Sequence, residues 1–106
     1  MDRPALVSIR LTAECWWFID EARSWPVLIP LPADVQALLD DPPAMEISGV
    51  IPEPLIVVRM TRSQAEAVQR WLHALHNDLK YDDARRLTCL MCISRVAVAI
   101  MIWERQ

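Results

Sequence analysis

The sequence predicts a small α+β domain in which two strand-helix units form a small sheet covered by helices on one side. Three observations predict it. A seven-residue pattern occurs twice: Leu6-Val7-Ser8-Ile9-Arg10-Leu11-Thr12 is matched by Leu55-Ile56-Val57-Val58-Arg59-Met60-Thr61, 49 positions further on. Each copy is β-branched and aliphatic and ends in a Thr that suits a helix N-cap. Each is then followed by apolar residues at helical spacing. The expected order is β-α-α-β-α-α with one further short strand before the second copy. At 106 residues the chain has the length of one domain, 1–106, with pseudo-repeat units 5–41 and 54–103.

The first strand is expected over 5–11, with Thr12 capping a helix over 13–24. Glu14 falls in that helix's first turn, where negative charge suits the dipole. Cys15, Phe18, Ile19 and Ala22 share one face. Trp16 and Trp17 project about 100° apart, so one of them belongs at the edge of the core or in an interface.

From Trp25 to Pro32 the chain reads Trp-Pro-Val-Leu-Ile-Pro-Leu-Pro. Its prolines forbid a helix and leave an extended apolar connector. A short helix is expected over 33–40, with Asp34 at its positive end. Asp40-Asp41-Pro42-Pro43 ends it, because residues before proline avoid the α region. Residues 45–50 read as a second strand. Gly49, the chain's one glycine, and Ile51-Pro52-Glu53-Pro54 lead into the strand 55–60.

The helix 62–78 opens on a capping box, Thr61 with Gln64. Val68, Trp71, Leu72, Leu75 and Leu79 repeat at helical spacing, with Glu66, Gln69 and Arg70 on the other side. A polar turn over Lys80–Asp83 leads to a last helix over 83–103. It is apolar over most of its circumference, save one narrow stripe of polar or small residues: Thr88, Cys92, Arg95 and Ala99. The competing reading ends the helix near Ser94 and makes 96–103 a buried strand. Leu87–Trp103 approaches the length of a membrane span, but Arg95 at its centre is costly in lipid. A buried or oligomer-facing element is expected, with no membrane partner.

Composition bounds the function. The hydrophobic share is 54%, with five Trp, and a small domain buries only a modest part of its surface. Some of that apolar surface is therefore expected to meet another chain, either a second copy or another protein. The expected interface is Trp16, Trp17, Val98, Met101, Ile102 and Trp103. A net charge of −3 without a basic cluster disfavours nucleic acid as a partner. Three cysteines and no leader pattern suggest free thiols in the cytoplasm.

Few constellations carry chemistry. With one glycine there is no phosphate-cradling loop. The pairs Asp40-Asp41 and Asp82-Asp83 sit at helix boundaries, where capping accounts for them. No nucleophile elbow occurs, and neither an enzyme nor a cofactor is expected. His73, His76, Cys89 and Cys92 have the ligand types of a zinc-stabilised structural module, spaced H-x2-H-x12-C-x2-C. In an antiparallel hairpin turning near Lys80, however, Cys92 lies nearly two turns beyond His76. The residues themselves read more simply as boundary histidines and small core thiols.

Arg10 and Arg59, the matched arginines of the repeat, point away from the aliphatic residues if both strands form. A strand ending in Arg-Leu-Thr and followed by two helices resembles the ribbon-helix-helix DNA-binding fold. Both units, 6–40 and 55–103, would then lie in one chain. The resemblance implies that the two strands pair into a ribbon whose exposed face, with Arg10 and Arg59, enters the major groove.

Overall fold

The computed structural model describes residues 3–27, 29–41, 44–47 and 54–106. The α+β class is as expected. The elements are β1 (Val7–Leu11), α1 (Ala13–Ala22), α2 (Ala33–Asp40), β2 (Ala44–Glu46), β3 (Leu55–Met60), α3 (Arg62–Asp78) and α4 (Asp83–Glu104). The three strands form one antiparallel sheet in the order β1-β3-β2.

The register has a simple relation to the repeat. Ile9 stands opposite Val58, its own counterpart in the second copy. Val7 opposite Met60 and Leu11 opposite Ile56 are then exchanged by a local two-fold axis through that central pair. Side chains alternate across a strand, so Val7, Ile9, Leu11, Ile56, Val58 and Met60 share one face, and all are buried. Ser8, Arg10, Val57 and Arg59 share the other.

Both strand-to-helix junctions are capped. Thr12 Oγ1 accepts from the Cys15 amide at 3.2 Å. Thr61 Oγ1 accepts from the Gln64 amide at 3.2 Å, and Gln64 Oε1 accepts from the Thr61 amide at 2.9 Å, closing the capping box. The core then fills from the sheet's apolar face outward, with Trp71, Leu72 and Leu75 of α3 and Cys89, Cys92 and Val96 of α4 fully buried. α4 packs along α3 and beside β1, covering what would be an open sheet edge.

Several boundaries differ from expectation. α1 ends at Ala22, where Arg23, Ser24 and Trp25 turn back onto its last carbonyls. The connector holds itself down by Leu31, which is buried, and by Trp25, edge-on to Phe18 at 5.8 Å. The second strand begins at Ala44 and covers three residues; positions 48–50 of the expected 45–50 lie outside the described residues. α4 is one continuous helix, which overturns the strand reading of 96–103. No turn residue interrupts it, and once its first turn is capped by Asp82, each added residue gains a backbone bond.

Candidate interaction surface

α4 has two unlike sides. The side packed into the body carries Cys89, Cys92, Ile93, Val96 and Ala99, mostly small residues that let the helix lie close to its neighbours. The stripe of polar or small residues noted in the sequence turns this way: Cys92 and Ala99 are buried, while Thr88 and Arg95 are half-buried at its margins. Most of the larger apolar side chains face out, with Ile93, Ile100 and Trp103 turned to the core. Leu87 is 62% exposed, and Leu90, Met91, Val98, Met101 and Ile102 are exposed with it. This inverts ordinary amphipathicity, in which the large apolar residues go inside.

The six expected interface residues separate into two groups. Val98, Met101 and Ile102 lie on the exposed stripe, and Trp17 is 70% exposed on α1. Trp16 and Trp103 are half-buried against the core. Trp103 Nε1 donates to the Pro4 carbonyl at 2.7 Å, and the guanidinium groups of Arg3 and Arg62 lie 5.2 and 5.9 Å from its ring centre. It acts as a clasp between the two ends of the chain. The sequence reading did not single out Leu87, Leu90 and Met91. Of these only Leu90 lies opposite the small-residue stripe, and the packing of α4 was needed to show that Leu87 and Met91 also face out.

Trp17 overlooks a shallow hollow of about 460 Å³ between α1 and α4. Its rim is polar: Arg85 Nη2 lies 3.3 Å from Glu21 Oε1, and Thr88 Oγ1 donates to Glu14 Oε1 at 3.3 Å.

The outer sheet face brings Arg10 and Arg59 together, since Ser8 pairs with Arg59 and Arg10 with Val57. The antiparallel pairing of β1 and β3 is the pairing a ribbon requires. Two features depart from a free ribbon. β2 adds a third strand, and its Glu46 accepts from Arg10 Nε at 3.1 Å. α4 flanks the other edge, where Ser8 and Arg10 share a hollow with Arg95 and Ala99.

The zinc ligand set is not assembled. His73 is exposed and His76 half-buried, whereas both thiols are fully buried. Cys89 Sγ donates to the Leu72 carbonyl at 3.2 Å, and Cys92 Sγ to the Cys15 carbonyl at 3.8 Å. Among the described residues no group of three or more His, Cys, Asp or Glu is placed to hold a metal ion. The hairpin geometry explains this: α3 and α4 bring Cys89 beside Leu72, on the side of α3 turned away from His73.

The buried thiols do perturb one another. Hydrogen bonding with Cys92, aided by Thr12 and the positive charge of Arg95, draws Cys15 down to about 6 against the opposing effect of burial. The same contact, with burial, drives Cys92 far up. Burial alone raises Cys89 to about 11. All three are free thiols.

No family model, curated protein or solved structure matches this chain. The surface is therefore read from its own chemistry.

Proposed function

We propose that this chain is a non-catalytic protein-interaction or regulatory module, working as a homo-oligomer or as a subunit of a complex. The observation that carries this reading is the outward face of α4. Six large apolar side chains lie exposed along one 22-residue helix, three on either side of Ser94, and exposed apolar surface of this kind marks interaction sites. By length and composition α4 would also suffice to cross a membrane. Its inward side, fitted closely to β1, α1 and α3, favours a helix that belongs to a folded body and offers only one face.

Val98→Asp and Met101→Asp test the reading. Each places a charge on the exposed stripe without touching the core. Native mass spectrometry is expected to show loss of the assembly while far-ultraviolet circular dichroism stays helical. A folded variant whose mass in solution equals that of the wild type would sink the assignment of this face.

A second reading, binding of duplex DNA through Arg10 and Arg59, is supported by the paired β1 and β3, which put both guanidinium groups on one sheet face. Salt-dependent binding that disappears in the Arg10→Ala, Arg59→Ala double variant would raise it above the first. Glu46, bound to Arg10, weighs against it.

A further inference from the structure

We infer that the occupant of the α4 face is a second copy of this chain, whose α4 lies antiparallel to the first across a two-fold axis through Ser94. This deepens the reading of α4 as an interaction surface and rests on it.

Seven positions of the exposed face are symmetric about Ser94, while Met91 and Ile102, also exposed, stand beside that line without a matching counterpart. Leu90 and Val98 each lie four residues from it, Leu87 and Met101 seven, and Asp83 and Arg105 eleven. Steps of four, seven and eleven are the near-integral repeats of an α-helix, so all seven positions fall along one line of its surface. All seven are exposed.

Two copies related by a two-fold axis at Ser94 therefore match at these seven positions. Leu87 of one meets Met101 of the other, and Leu90 meets Val98. Ser94 meets itself, and its small side chain lets the two helices approach closely at the crossing. An isologous contact requires such self-complementarity, because one patch must serve as both partners.

Charge fixes the direction. The stripe begins with an acidic residue, Asp83, and ends with a basic one, Arg105, and neither forms an ion pair among the described residues. Antiparallel packing sets Asp83 against Arg105 of the second copy at both ends. Parallel packing would set Asp83 against Asp83 and Arg105 against Arg105. Like charges at both ends disfavour that arrangement, as charges flanking a helical seam commonly do.

Single cysteines on the stripe test this, because the native thiols are all buried and do not compete. The full chain is used, with diamide as the oxidant that accepts the two hydrogens when two thiols join. Ser94→Cys is expected to give a covalent dimer on a non-reducing gel. Leu87→Cys alone is expected to give none, whereas an equal mixture of Leu87→Cys and Met101→Cys chains is expected to give the mixed dimer. Asp83→Arg is expected to weaken the dimer at least fivefold by analytical ultracentrifugation, and adding Arg105→Asp to restore it.

Cross-linking of Leu87→Cys to itself would overturn the antiparallel arrangement. A wild-type dimer that gives no Ser94→Cys cross-link would place the contact elsewhere, overturning this inference while leaving an oligomeric module standing. A monomeric wild type would overturn the second copy as occupant. So would one that sediments with phosphatidylcholine vesicles in place of dimerising. The Val98→Asp experiment separately tests α4 as an interaction face.

Discussion

Arg10 Nε donates to Glu46 Oε1 at 3.1 Å, and the pair reaches across β3 on the face that carries Val57. Val57 belongs to the outer side of the sheet, yet it is buried. The ion pair and its aliphatic stems help to roof it, a common use of long charged side chains. Both partners remain partly in solvent, so the charge term itself is small. Glu46→Ala is expected to cost no more than about 1 kcal/mol in urea unfolding, and less in high salt.

The two strand-to-helix junctions differ in how fully they are capped. Thr61 and Gln64 satisfy each other's backbone donors, whereas Thr12 gives a single side-chain bond. Thr61→Ala and Thr12→Ala are each expected to destabilise the fold by roughly 0.5–2 kcal/mol, with Thr61→Ala the larger. Urea midpoints at unchanged m-value check both.

Leu72 and Leu87 separate the core from the stripe. Leu72 is fully enclosed, so Leu72→Ala is expected to cost roughly 2–5 kcal/mol at any protein concentration. Leu87 is largely exposed, and Leu87→Ala is expected to shift monomer stability by no more than about 0.5 kcal/mol. It is expected instead to flatten the dependence of Tm on protein concentration. Thermal melts over a hundredfold range of concentration check the contrast.

The cysteines give stability two opposed pH dependences. Cys15 falls from the ordinary thiol value of 9.0 to about 6 on folding, so its contribution is present above pH 9 and is lost as pH falls through 6. Cys89 rises to about 11, so its contribution is full below pH 9 and is lost as pH rises towards 11. Cys92→Ala removes the hydrogen-bonding partner of Cys15 and is expected to flatten the first slope. Cys89→Ala is expected to reduce the second, to which Cys92, also raised, continues to contribute. Unfolding free energies measured from pH 5 to pH 11 against wild type check each sign.

Much of the fold was legible because its signals are local. The bounds of α2, α3 and β3 match expectation, since prolines, Thr caps and a clean apolar face act within one or two turns. β1 begins two residues later than expected, and α1 ends two residues earlier, where turn bonds to Ala22 and Glu21 replace the next helical turn. The exposed face of α4 was half legible: apolar excess near the C-terminal end points to Val98, Met101 and Ile102, whereas the exposure of Leu87, Leu90 and Met91 depends on how the helix packs.

The sequence by itself determined the two strand-helix units and their caps, because apolar alternation and Thr caps act locally, whereas the register that sets Ile9 against Val58 came with the fold. Only the tertiary structure decided which way α4 faces. A helix apolar nearly all round has no preferred side of its own. Close approach to β1, α1 and α3 takes in Cys89, Cys92, Ile93, Val96 and Ala99, and that choice of side leaves Leu87, Leu90 and Met101 facing outward as a surface.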